Sequence, residues 1–120
     1  MKKILVVEDN EANIYLMRFI LSKAGYKVIE AKTGEEGVKI AIKEKPDLII
    51  MDIQLPGMDG LESTKKIRES KADGKTPIVA LTSYAMRGDK EKAIDAGCTG
   101  YLEKPINPET FLKDIKKYIG

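Results

Sequence analysis

Five short apolar runs separated by helical patterns constrain this chain more than anything else in it. Ile4 to Val7, Leu48 to Met51 and Ile78 to Leu81 show no polar alternation, so each needs cover on both faces of a sheet. Strands that alternate with helical segments make a parallel sheet joined by crossover helices. Tyr26 to Ala31 is half polar and Gly100 to Leu102 is very short, which places those two runs at the edges.

Cap residues locate the helices. Asn10 precedes a helical stripe of Ile14, Met17, Ile20, Leu21 and Ala24 that stops at Gly25. Thr33 followed by Glu36 predicts a capping box, opening a helix that turns Val38, Ala41 and Ile42 inward and ends before Pro46. A third helix follows Gly60, with Leu61, Thr64, Ile67 and Arg68 at helical spacing, and frays into the polar segment 70–75. A fourth runs from Asp89 to Ala96 with Gly97 as its C-terminal glycine. Asn107 as cap and Pro108 at the first helical position open a fifth, which buries Phe111, Leu112, Ile115 and Ile119. Right-handed crossovers and helices on both faces then favour the strand order 2-1-3-4-5. The expected fold is α/β, a doubly wound five-stranded parallel sheet in a flavodoxin-like (βα)5 three-layer sandwich.

A chain of 120 residues suits one domain over 1–120. The formal net charge of +2 is spread over interleaved Lys and Glu, a solvated face rather than a nucleic-acid patch. One Cys allows no internal disulfide, and Cys98 is expected as a small core residue. Met1, Lys2, Lys3 and the following apolar run are cut short by Glu8 and Asp9, so neither a signal peptide nor a membrane span is predicted and a cytoplasmic place is expected. There is no His, so any acid–base or metal chemistry rests on carboxylates, Lys, hydroxyls and water.

The strand ends carry the chemistry. The third run stops at Asp52, and Pro56 and Gly57 turn the chain away. An open α/β sheet binds ligands at the C-terminal ends of its central strands, where the strand order reverses. That point sets Glu8 and Asp9 beside Asp52, with Thr82 and Lys104 on its other side. Three carboxylates at one rim repel unless a cation sits among them. Oxygen-only ligands point to a hard ion, Mg²⁺ before Ca²⁺ because the protein ligands are few. Lys104 and Thr82 would serve phosphate oxygens as charge and hydrogen-bond donor. Asp52 has the place of a nucleophile that takes a phosphoryl group as an acyl phosphate.

Four stretches carry a family resemblance: Val6-Val7-Glu8-Asp9-Asn10, Met51 to Gly60, Ala80-Leu81-Thr82-Ser83, and Tyr101-Leu102-Glu103-Lys104-Pro105. In this order at these strand ends they resemble the receiver domain of a bacterial two-component response regulator, over nearly the whole chain. The stretch Leu81 to Met86, with Cys98 and Tyr101, is most similar to receivers of hybrid histidine kinases and to single-domain cell-cycle receivers. The resemblance implies that Asp52 accepts a phosphoryl group from a phosphohistidine on a sensor histidine kinase or histidine phosphotransfer protein. It implies Mg²⁺, with Mn²⁺ as a substitute, held by Asp9 directly, by Glu8 mainly through water, by Asp52 and by the backbone carbonyl of Gln54. Lys104 would bind the phosphoryl group, with a cis bond to Pro105. Thr82 and Tyr101 would form a switch pair that changes the face of helix four, strand five and helix five, docking a downstream protein target or passing the phosphoryl group on.

Ser83 stands where the family usually has Ala or Gly. Gln54 and Tyr84 are expected near the attacking water's path, and screening by Tyr84 predicts slow loss of the phosphoryl group. An aspartyl-nucleophile phosphatase is the alternative from another class; it needs a second acid two residues after the nucleophile, and Gln54 stands there. A receiver fragment of a hybrid kinase is a further alternative, and Met1 just before the first run favours a free-standing protein. The expected protein is no enzyme beyond its own phosphorylation and slow dephosphorylation. It is expected to be a monomer or weak phosphorylation-dependent dimer, without nucleic acid or membrane insertion.

Overall fold

The computed structural model describes residues 1–70, 75–82 and 88–119. In chain order the elements are β1 (Lys3–Val7), α1 (Glu11–Lys23), β2 (Lys27–Ala31), α2 (Gly34–Glu44), β3 (Leu48–Asp52), α3 (Gly60–Glu69), β4 (Ile78–Thr82), α4 (Asp89–Ala96), β5 (Gly100–Glu103) and α5 (Pro108–Ile119). The strands pair in parallel in the order β2-β1-β3-β4-β5, as run polarity and crossover handedness predict. The register aligns Val7 with Met51, Asp52 with Leu81, and Thr82 with Glu103, so the polar strand ends share one rim. No helix among the described residues is long and apolar enough to cross a membrane.

Alternation along each strand splits the core in two. Ile4, Val6, Leu48, Ile50, Val79 and Leu81 face Met17 and Leu21 of α1 and Phe111, Ile115 and Ile119 of α5. Leu5, Val7, Ile49, Met51, Ile78 and Ala80 face Ala41 of α2, Ile67 of α3 and Ala93 of α4. The runs Ile4–Val7, Leu48–Met51 and Ile78–Leu81 are therefore unbrokenly apolar because both faces of the three central strands are covered. Cys98 is buried in the second core, 3.7 Å from the Thr64 hydroxyl, and burial pushes its thiol pKa up.

Local chemistry sets the helix ends. Asn10 and Thr33 cap α1 and α2 by accepting from Asn13 N–H and Glu36 N–H. Asp59 caps α3 through Glu62 N–H, and Asn107 Oδ1 accepts from Glu109 N–H at the start of α5. Gly97 closes α4 in the left-handed region at φ 113°, with its N–H on Ile94 O and that of Cys98 on Ala93 O.

Three details differ from the sequence expectation. Ile42 is exposed, because the inward stripe of α2 runs through Gly34, Gly37 and Ala41, and a residue one step beyond Ala41 turns outward. Ala24 is exposed because it is the C-cap of α1 and no longer lies on the helical stripe. The capping box is open: the Glu36 carboxylate accepts from Lys32 N–H at 3.1 Å, one residue before the Thr33 cap. The expected fraying beyond Ser70 falls on residues 71–74, outside the described residues, apart from Lys75.

Gly60 matters for position. It begins α3 hard against the end of β3, and its N–H donates to Ile53 O at 3.0 Å. A Cβ there would overlap the Asp52 carbonyl oxygen and lie 2.7 Å from Ile53 Cα. Gly34 does the same for α2, where a Cβ would overlap Met58 O and Ser63 Oγ. The two glycines bring α2 and α3 onto the segment that follows Asp52.

Two stability effects follow from these backbones. Gly60→Ala is expected to destabilise the fold by about 2–3 kcal/mol, a fall in urea midpoint of about 1–2 M at unchanged slope. Lys45, the C-cap of α2, sits in the left-handed region at φ 48°. Lys45→Gly should raise stability by about 1 kcal/mol in the same experiment, since a side chain there is strained.

Candidate functional site

The rim site grows out of the strand ends. Glu8 follows β1 directly and its N–H donates to Ala31 O at 3.0 Å, which holds its backbone in line with the sheet. Asp52 ends β3, and its side chain continues the row of Leu48 and Ile50. Glu8 is 0% and Asp52 1% exposed, whereas Asp9 reaches solvent. Carboxylate oxygens of Glu8, Asp9 and Asp52 lie within 4.8 Å of one another.

Lys104 enters this cluster from beyond β5. Its N–H donates to Thr82 O at 2.7 Å, and the Lys104–Pro105 peptide is cis, as the family resemblance implies. Lys104 Nζ lies 3.1 Å from Asp52 Oδ2 and 3.0 Å from Glu8 Oε2, with its side chain 12% exposed. Burial alone would lower the Lys104 pKa, but the Glu8 and Asp52 carboxylates outweigh it and raise it above the ordinary lysine value. The same burial raises Glu8, helped by the neighbouring Asp52 and opposed by Lys104 and Asn13. One ammonium thus faces two desolvated carboxylates.

The remaining contacts fix the acids. Asp52 Oδ1 accepts from Gln54 N–H at 3.0 Å. Glu8 Oε1 accepts from Asn10 N–H and from Asn13 Nδ2, both at 3.3 Å, and from Lys104 Nζ at 3.1 Å. Glu8 Oε2 is buried and lies near Lys104 but receives no well-directed hydrogen bond among the described residues. An oxygen-only cluster with one such oxygen fits a hard divalent cation.

Thr82 is 2% exposed at the end of β4, one residue beyond the partner of Asp52. By alternation it continues the row of Ile78 and Ala80, the face against which the half-buried Tyr101 packs. Tyr101 is aligned with Ala80 across β4 and β5. Gln54 is exposed and Gly60 is buried at the start of α3. The structure therefore brings Glu8, Asp9, Asp52 and Lys104 together, with Thr82 and Tyr101 on the flank. Ser83 and Tyr84 lie outside the described residues.

Two residues escape a reading of the sequence alone. Asn13 touches Glu8 from α1, and Glu35 Oε1 accepts from Met58 N–H at 3.2 Å, tying α2 to the segment after β3. Neither belongs to a strand end. The one available signal is Asn13 at the third helical position after its cap, where Glu or Gln is usual.

Comparison with known proteins agrees with this geometry. A family model described as the response regulator receiver domain matches residues 4–116. The polar-differentiation response regulator DivK of Brucella ovis is 41% identical over 119 residues, covering 99% of this chain and 97% of DivK. The chemotaxis protein CheY4 of Vibrio cholerae superposes with a TM-score of 0.93 at 36% identity, covering 98% of both chains. The receiver domain of a Pseudomonas aeruginosa sensor histidine kinase, solved with a magnesium ion coordinated in its active site cleft, superposes at 0.91 with 35% identity, covering 99% of this chain and 98% of that one.

The shared ammonium makes a stability prediction. Lys104→Met should destabilise the metal-free protein by about 3 kcal/mol at neutral pH, because two buried carboxylates lose their partner. Added Mg²⁺ should raise the melting temperature of this variant more than that of the wild type, as read by calorimetry in EDTA and in Mg²⁺.

Proposed function

Since this chain belongs to the response regulator receiver domain family, we propose that Asp52 takes a phosphoryl group from the phosphohistidine of a sensor histidine kinase or histidine phosphotransfer protein. The chain is a phosphorylation-switched signalling receiver of the two-component type. The observation that carries the site assignment is Lys104 Nζ at 3.1 Å from Asp52 Oδ2 inside the acidic cluster.

In the transfer, an Asp52 oxygen attacks phosphorus, the P–N bond breaks, and its electron pair leaves with the partner's imidazole. Gln54 N–H holds Oδ1 and so sets the carboxylate plane. Lys104 starts on Asp52 and Glu8 and turns to the arriving phosphoryl oxygens as a charged donor. Asp9 and Asp52, with the Gln54 carbonyl, would hold Mg²⁺ or Mn²⁺ directly, and Glu8 through water. The bound ion would neutralise charge on carboxylate and phosphoryl oxygens.

The shared sheet face supports a switch. The Thr82 hydroxyl turns toward the phosphoryl group, and the Tyr101 ring moves into the space behind it, since both belong to the row of Ala80. The surface of α4, β5 and α5 then changes for a downstream protein target. For the partner kinase, α1 offers exposed Tyr15 and Phe19 one turn apart, with Lys23 Nζ 5.5 Å from the Phe19 ring and Arg18 paired to Glu30. Residues 1–120 would act as one cytoplasmic domain, monomeric or weakly dimeric when phosphorylated, without turnover of a separate substrate. A phosphatase reading is not favoured: Gln54 stands where the second acid is needed.

Acetyl phosphate with Mg²⁺ should add one phosphoryl group to the wild type, mapped to Asp52 by peptide mass spectrometry. Asp52→Asn or removal of the metal should abolish the labelling. A label found on another side chain contradicts the assignment.

A further inference from the structure

We propose that Asn13 is a positioning residue: its side-chain amide holds Glu8 Oε1 so that Oε2 stays available to a water of the divalent cation. The proposal rests on the magnesium-dependent receiver reading above. Glu8 is fully buried, and its two oxygens are distinguished only by their donors. Oε1 has Asn10 N–H, Asn13 Nδ2 and Lys104 Nζ; among the described residues Oε2 has no well-directed donor, and it lies 3.0 Å from Lys104. An ionised carboxylate only accepts, so the amide nitrogen of Asn13 is the atom that faces it.

The start of α1 is built to permit this. In a capping box the third helical residue is Glu or Gln, and its side chain accepts from the N-cap N–H. Here the Asn10 N–H is taken by Glu8 itself, and the third helical residue is Asn13, whose side chain becomes a donor. The Asn10 side chain still caps the helix by accepting from Asn13 N–H at 3.0 Å. One short turn thus ties the helix N-terminus to the rotation of an acid at the strand end. Lys104 Nζ already lies within reach of both Glu8 oxygens, so the Asn10 N–H and the Asn13 amide are what set the rotation of the carboxylate; without the Asn13 amide that rotation is held by one backbone donor alone, and Oε2 is no longer fixed toward the cluster.

Mg²⁺ titration calorimetry on the full chain tests this. Asn13→Ala keeps the backbone N–H that binds the Asn10 cap, so its Tm should stay near that of the wild type. Its Kd for Mg²⁺ should rise about tenfold, the scale for losing a residue that orients a metal ligand. Asn13→Gln, which keeps an amide donor, should bind more tightly than Asn13→Ala. Thr33→Ala removes the cap of α2 away from the cluster and should lower Tm by a few degrees with Kd unchanged, so lost stability alone does not mimic the effect. A Kd for Asn13→Ala within about twofold of a binding wild type overturns the positioning role alone, since outer contacts that matter shift affinity by more. A wild type that does not bind Mg²⁺ overturns the reading beneath it, and the proposal with it.

Discussion

Everything at the rim depends on one ammonium shared between two carboxylates that the sheet has taken out of water. Lys104 Nζ sits about equally far from Glu8 and Asp52, both almost fully buried. Burying two like charges side by side is costly unless a cation compensates them. A single lysine compensates one charge and leaves the second as a standing demand for positive charge. That imbalance gives a small domain without a single His a place where a divalent cation would offset buried negative charge.

Much of this was legible before any coordinates. Unbroken apolar runs can sit only in covered strands, and the half-polar Tyr26 to Ala31 run can sit only at an edge, so strand order followed from polarity and handedness. The acids and Lys104 were legible because each terminates such a run, and strand ends in a parallel sheet converge. Gly97 and Asn107 were legible because cap chemistry is local in sequence.

What stayed hidden was not periodic. Ile42 was placed inward by its hydrophobicity, yet the close approach of α2 to the sheet is made by Gly34, Gly37 and Ala41, and size rather than hydropathy chose that face. Asn13 and Glu35 act across elements, through side-chain contacts to Glu8 and Met58 N–H that no spacing rule connects. Glu36 reached Lys32 instead of its expected partner because a flexible carboxylate can satisfy either of two neighbouring amides. Hydrogen bonds of this kind are decided by tertiary approach, not by the pattern along the chain.

The glycine contacts behind Asp52 have a mechanical outcome. With Gly60 seated on the Asp52 carbonyl, and Gly34 on that of Met58, the α2–α3 flank of the rim leaves no room for a side chain at either position. Farther along the same face, at β4 and β5, the rim is bounded by side chains such as Thr82 and Tyr101 that can rotate. Backbone therefore meets backbone on one side of Asp52 and side chains line the other, so a rearrangement at the end of β3 by rotamer change alone has only the second side open to it.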